Sequence, residues 1–179
     1  LLDLTPKRKH RKKAIRALKS YGPRIIDSIL KLNEEDKIKG TVKKHIPKII
    51  ESFRNEKAIK VLIQLLRMRP TATRLQASIS LLKLKQKNVS FGFSRRSVKN
   101  QVIKESNYYR NILEITTSIH RKIDSELKKE SKLENEELYQ ARKKLLDFLE
   151  SDLDNSLRSI FNLLSIIYNE NDVEMTFVG

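Results

Sequence analysis

The stretch from Asp36 to Arg69 has the clearest helical pattern in the chain and predicts a pair of helices. In Lys37–Phe53 the apolar residues recur every three or four positions, which places them on one face of a helix. In Lys57–Arg69 the polar residues instead form a narrow stripe, made of Lys57, Lys60, Gln64 and Arg67. A helix with so thin a polar stripe contacts protein on several sides, so this pair is expected in the middle of a stack of helices.

Further helices are predicted on both sides of this pair. Gly22 suits the end of one helix and Pro23 the start of the next. Pro47 is expected to kink the helix that contains it, because proline removes a backbone donor and crowds the preceding turn. Another helix is expected to begin at Thr71 or Thr73. Two helices thus recur in roughly 30–35 residues, somewhat below the period of HEAT and armadillo repeats.

The pattern changes after residue 94. Polar residues and Gly92 predict a loop before it, in which Phe91 and Phe93 are expected to plug the end of the stack. Arg95–Lys128 then predicts one long helix, and Glu136–Tyr168 predicts a second.

Two polar segments are expected to interrupt these long helices. Ser131–Asn135 predicts a hinge, and Asp152–Ser156 is a possible break because Asp, Asn and Ser favour helix caps. The two helices are expected to pack antiparallel and to close one end of the stack, as terminal elements of a solenoid must.

These patterns predict an all-α fold. It resembles HEAT repeats over about Lys12–Lys87, and the resemblance implies a HEAT-like α-α superhelix, a right-handed solenoid of antiparallel helix pairs closed by two long C-terminal helices. Residues 1–94 are expected to form the repeats with a basic N-terminal segment, and residues 95–179 the long-helix cap. Both parts are expected to belong to a single structural domain.

Composition narrows the class of protein. Hydrophobic residues make up 39% and charged residues 34% of the 179, which is typical of helix-rich chains that fold in water. With no cysteine the chain has no disulfide and no thiolate metal site, so a reducing compartment suits it. No apolar run approaches the length of a membrane span. Because it lacks an initiator Met, we interpret the chain as part of a longer protein.

The charge is uneven along the chain. Residues 1–100 hold 27 Lys or Arg against 7 Asp or Glu, whereas residues 101–179 hold 11 against 15. The basic part predicts an anionic partner, which would be phospholipid, nucleic acid or an acidic protein, although a solvated surface without a partner would have the same composition. The candidate anion-binding residues are Lys7, Arg8, Lys9, Arg11, Lys12, Lys13, Lys83, Lys85, Lys87, Arg95 and Arg96.

The C-terminal helix carries a second resemblance. Its closing segment has Arg158, Phe161, Leu163, Leu164, Tyr168 and Asp172. With the repeats before it, this order resembles the cytosolic HEAT region appended to bacterial membrane proteins similar to ATP:ADP antiporters of the major-facilitator type. The chain departs from that family at Asn169-Glu170, where prolines are expected. The resemblance implies a cytoplasmic domain tethered to the inner membrane through sequence outside this chain, and it transfers no transport activity.

Residue patterns for catalysis or cofactor binding are missing from the sequence. His10, His45 and His120 are scattered without a ligand set at metal-binding spacing, and neither a Gly-rich phosphate loop nor a nucleophile-elbow motif occurs. Tyr108 and Tyr109 would suit stacking on a base, but packing in the core is the commoner role of aromatics at helical spacing. We therefore predict no enzyme activity, no metal and no cofactor.

Three hypotheses about function remain. The first is a non-enzymatic cytosolic scaffold domain of a larger, transporter-like membrane protein, with a protein partner and a basic segment that contacts the anionic membrane surface. The second is a HEAT-like protein that binds duplex DNA, where Lys and Arg would contact phosphates. The third is a scaffold without an anionic partner.

Overall fold

The computed structural model of the chain describes residues 1–87, 94–127 and 136–168, and all regular structure in these ranges is helical. After a 3-10 turn at Leu2–Leu4, the helices are α1 (Arg11–Ser20), α2 (Ile25–Glu34), α3 (Gly40–Lys43), α4 (Ile46–Glu51), α5 (Glu56–Leu65), α6 (Thr71–Gln86), α7 (Arg95–Leu127) and α8 (Glu136–Ile167). The all-α prediction is confirmed, while the right-handed solenoid of repeats stays a prediction. In the described ranges no helix is both long enough and apolar enough to cross a bilayer.

The predicted apolar faces of the first helices form the core. Ile26 and Ile29 of α2 are buried, and so are Ile46, Ile49 and Ile50 of α4. The polar stripe predicted for α5 is exposed, whereas five of the other residues in this helix are buried. Between α1 and α2, Gly22 has a φ of +73°, a conformation that glycine adopts without strain, and it ends α1 as predicted.

Pro47 has a different effect from the one expected. The segment predicted as one kinked helix, Lys37–Phe53, consists of the two short helices α3 and α4 with a break at Lys44 and His45. Pro47 lies in the first turn of α4. Its missing N–H has no partner to lose in that position, so the proline starts a helix here and does not bend one.

The helix that is covered on most sides is α6. It contacts α4, α5 and α8, and nine of its 16 residues are buried. Several of these buried residues are polar, among them Thr71, Thr73 and Arg74. The preceding pair, α4 and α5, contacts α1 on one side and α6 on the other, and its place in the middle of a repeat stack stays a prediction.

Both long helices are present, and they pack antiparallel along one another. The break considered at Asp152–Ser156 does not occur, because α8 continues through it. The side chains of Asp152 and Ser156 bond to neighbouring helices and do not cap their own. The predicted hinge and the predicted plug of Phe91 and Phe93 lie outside the described residues.

The long helices extend past the rest of the fold. Thr71, the first residue of α6, bonds to Asp152, and Lys85 near its end bonds to Ile166, so α8 runs beside α6 in the same direction. Residues 136–151 of α8 therefore lie beyond the start of α6, a distance of about 24 Å at 1.5 Å per residue. There α7 and α8 form a two-helix arm of residues 112–127 and 136–151, which we call the distal hairpin.

Candidate anionic-surface site

The basic N-terminal segment is held in place by one of its own residues. The Arg11 side chain donates from Nε to the carbonyl of Thr5 at 2.8 Å and from Nη2 to the carbonyl of Pro6 at 3.0 Å. Thr5 is buried and donates in turn to the Leu2 carbonyl at 2.7 Å. The segment is thus folded back against the start of α1, and Lys7, Arg8 and Lys9 are exposed on its outer side.

A second group of cations lies beside this segment. Helix α1 packs against α4, which follows Lys44 and contains Lys48. These charges lie near the imidazole of His45. Its pKa is lowered by burial and also by the charges of Arg11, Lys44 and Lys48. The Nε2 atom of His45 is buried and has no hydrogen-bond partner among the described residues. Cations from α1 and from the α3–α4 segment therefore converge around one imidazole.

These cations also lack acidic partners among the described residues. Some lysines elsewhere are paired, for example Lys57 with Asp27 at 2.6 Å and Lys60 with Glu56 at 2.7 Å. In the part of the chain that the structure describes, no ion pair involves the N-terminal segment, α1 or the lysines of the break and α4. We define the cationic surface as the exposed, unpaired residues Lys7, Arg8, Lys9, Lys12, Lys13, Lys44 and Lys48.

The second basic group predicted from the sequence lies at the C-terminal ends of α6 and α8. Lys85 donates to the carbonyls of Ser165 at 3.1 Å and Ile166 at 2.8 Å, which caps the last turn of α8. Arg95 lies over the ring of Tyr168, 5.8 Å from its centroid. Lys83, Lys87 and Arg96 are exposed. Within the described ranges no hydrogen bond joins this group to the cationic surface, and its anion-binding role stays a prediction.

Sequence reasoning missed part of the cationic surface. Lys44 and Lys48 are not among the candidate residues predicted from the sequence, although Lys43-Lys44-His45 is itself a short basic run. The opposite holds for Arg11, which was predicted to bind anions but gives two of its donors to backbone carbonyls. Tyr21, which follows α1, is 64% exposed, although the helical spacing places it with the apolar residues Ala14 and Leu18.

A second cluster of chemically capable side chains lies in the interior, between α6, α7 and α8. Asp152 accepts from Thr71 and from the Tyr108 hydroxyl, the latter at 2.7 Å. Arg74 pairs with Glu105 and lies 4.4 Å from the centre of the Tyr108 ring. Burial, together with the bond to Asp152, raises the pKa of Tyr108, so the phenol stays a donor. Because Arg74 and Glu105 satisfy each other and Asp152 is satisfied by two hydroxyls, this cluster positions helices, and Tyr108 serves packing.

The remaining concave surface follows α7. The described residues that line it all belong to this helix, with Glu114, Arg121 and Lys122 as its charged members. Among the described residues, no side chain from a second element lines it, whereas ligand sites are built from several elements.

Comparison of the chain with protein-family models, curated proteins and solved structures finds no match in any of the three. The resemblance to HEAT regions of membrane transporters therefore stays a prediction from the sequence.

Proposed function

We propose that the chain is a non-enzymatic, all-helical scaffold domain that docks on an anionic membrane surface through its cationic surface. The observation that carries this proposal is the packing of α1 against α4, because each of these segments has exposed cations without an acidic partner among the described residues. Unpaired like charges on neighbouring helices repel one another, and an anionic partner removes that repulsion.

Several features favour lipid headgroups over duplex DNA. Six of the seven residues of the cationic surface are lysines, whose flexible ammonium groups suit diffuse contact with headgroups. Arg11, whose fork-shaped guanidinium would suit bidentate contacts, is engaged with the backbone. Tyr21 is exposed at the far end of α1, and tyrosine is enriched where proteins meet the membrane interface.

The size of the expected effect is set by the charges. A basic residue near an anionic leaflet contributes about 1 kcal/mol, so a surface of this size gives several kcal/mol at moderate salt. This energy decreases as salt shortens the Debye length from about 10 Å at 0.1 M to about 3 Å at 1 M. Such binding is strong enough to orient a tethered domain but weak enough to be reversible.

The setting of the domain is part of the same proposal. We place it on the cytoplasmic side of a larger, transporter-like membrane protein, where it also contacts a protein partner. What supports this is the order of the predicted helices and the closing segment of α8, with the basic segment near a leaflet that carries anionic lipids.

The test is cosedimentation of the chain with vesicles of phosphatidylcholine alone or with added phosphatidylserine. The chain is expected to bind only the anionic vesicles and to be released at high salt. A variant with Lys12, Lys13, Lys44 and Lys48 replaced by Gln is expected to lose binding while its helical circular dichroism is kept. The matched control replaces the ion-paired Lys57 and Lys60 by Gln and is expected to bind like the wild type.

Two results would overturn the proposal. Equal binding of the chain to neutral and anionic vesicles would remove the electrostatic basis. Displacement from anionic vesicles by duplex DNA, with tighter binding to the DNA, would move the function to nucleic acid.

A further inference from the structure

One stripe of residues along α7 and α8 changes its character midway. In α7 it runs through Val98, Gln101, Glu105 and Tyr108 at spacings of three and four, and continues in the distal hairpin as Ile112, Ile115, Ile119 and Ile123. In α8 it runs backwards through Leu163, Ser159, Ser156 and Asp152, and continues in the distal hairpin as Phe148, Leu145 and Ala141.

The first half of this stripe is covered and largely polar. Asp152 and Ser156 of α8 and Glu105 of α7 are all less than 10% exposed, because α6 lies against this side of the pair. Their hydrogen bonds to Thr71 and Arg74 and to one another satisfy these buried polar groups. In this half, the helix that covers α7 and α8 is α6 of the same chain.

The second half is uncovered and apolar. Phe148 is 61% exposed, Ile115 49% and Leu145 46%, because α6 begins only at the level of Asp152. We call the exposed Ile115, Ala141, Leu145 and Phe148, together with the half-buried Ile112, Ile119 and Ile123 beside them, the open face. Single exposed apolar residues are ordinary, but a continuous row on two adjacent helices marks a binding surface.

We propose that the open face binds the open face of a second copy of this chain, forming a symmetric four-helix contact between two distal hairpins. The spacing of three and four is that of helices that pack with knobs in holes, and it is present on both helices of the hairpin. A two-fold axis brings the same row onto itself, so one sequence pattern supplies both sides of the contact.

Charge favours this occupant. Residues 112–127 and 136–150 hold five Lys or Arg against seven Asp or Glu, a net of −2, whereas residues 1–111 hold 29 against 8, a net of +21. Two chains that each carry +16 repel one another over most of their surface. The distal hairpin, with its small net charge, is the part where two copies approach with much less repulsion.

The area is of the right order for a dimer. An open face about 24 Å long and two helices, or about 20 Å, wide projects to roughly 500 Å² on each copy. Its contoured accessible surface exceeds this projection, and standard interfaces bury roughly 800 Å² per partner.

The chain offers a matched pair of substitutions for the test, since Phe148 and Phe161 are both 61% exposed on α8 and only Phe148 belongs to the open face. Sedimentation equilibrium of the full chain is expected to show a dimer. F148E and L145E are expected to raise its dissociation constant by about 30-fold or more. F161E is expected to leave the dissociation constant unchanged.

I115E is expected to disrupt the same dimer contact from the α7 side of the open face. Circular dichroism of each variant shows whether it is still folded, which separates loss of association from loss of fold. A chain that stays monomeric up to roughly 100 μM, where a micromolar dimer would be populated, overturns the proposal. So does a dimer that survives F148E, L145E and I115E. These measurements need no vesicles, so their failure leaves the proposed membrane docking standing, and the reverse also holds.

Discussion

Arg74 of α6 and Glu105 of α7 face each other through two hydrogen bonds, from Nε to Oε2 at 2.9 Å and from Nη2 to Oε1 at 3.1 Å. Both side chains are buried, with exposures of 6% and 3%. Ser156 of α8 donates to Oε1 of the same carboxylate at 2.8 Å, so one ion pair joins three helices. A bidentate pair has a defined geometry, and it therefore sets the register of these helices as well as stabilising them.

Breaking this pair on one side is expected to destabilise the fold strongly. Arg74→Met leaves the carboxylate of Glu105 buried without its cation, which costs about 3–5 kcal/mol of unfolding free energy. The double variant Arg74→Met, Glu105→Leu removes both charges and is expected to lose much less than the sum of the single losses. Urea unfolding of the four proteins of this cycle measures the coupling, and additive losses would show that the two residues do not act as a pair.

Stability is expected to decrease in mild acid because of His45. Its folded pKa is lowered, mainly by burial and then by Arg11 and the lysines beside it, so the unfolded chain takes up the proton first as the pH falls. The stability that depends on the neutral imidazole is therefore complete above about pH 6.5 and is lost as the pH falls through the lower folded pKa.

The measurement for His45 is the unfolding free energy between about pH 7 and pH 5 for the wild type and His45→Gln. The variant is expected to lose less stability over this range. His10→Gln, on the exposed basic segment, serves as the control for removal of a histidine. A slope that His45→Gln leaves unchanged would assign the acid sensitivity to other groups.

The N-terminus of α5 depends on one side chain. The Asn55 side-chain oxygen accepts from the backbone N–H of Ala58 at 2.8 Å. Asn55→Ala removes this cap and is expected to lower the unfolding free energy by about 1 kcal/mol, whereas Asn55→Asp keeps an acceptor and is expected to be near neutral. Thermal or urea unfolding distinguishes them, and equal losses in both variants would contradict capping as the cause.

Both halves of the cationic surface are expected to contribute to vesicle binding. If α1 and α4 face the membrane together, replacing Lys44 and Lys48 by Gln is expected to weaken binding about as much as replacing Lys12 and Lys13, because each charge contributes about 1 kcal/mol. Titration of each protein with anionic vesicles gives the two losses. Wild-type binding by the Lys44, Lys48 variant would mean that the N-terminal segment acts alone.

The features that could be predicted from the sequence are those that depend on the spacing of apolar residues within one helix. The buried faces of α2 and α4, the exposed polar stripe of α5 and the extents of the long helices follow from the spacing of apolar residues. Asp152 and Ser156 show where this reasoning stops. Their preference for caps predicts a break, but partners 81 and 51 positions away in the chain satisfy them inside a continuous helix.

The candidate site divides in the same way. The basic run of the N-terminal segment is visible in the sequence, because its members are neighbours along the chain. That Lys44 and Lys48 join it depends on the packing of α1 against α4, and that Arg11 turns inward depends on the carbonyls of Thr5 and Pro6. Neither contact has a signal in the local pattern.

The difference in length between α6 and the two long helices also has a mechanical consequence. The 19 residues of α7 after Tyr108 make a lever of about 28 Å, and a tilt of about 10° at its base moves the tip by about 5 Å. At the base of this lever Arg74 pairs with Glu105 and Tyr108 donates to Asp152. The hydrogen bonds at this base therefore hold the direction of the distal hairpin relative to α6. A small change in their geometry would displace the tip of the hairpin by several times as much.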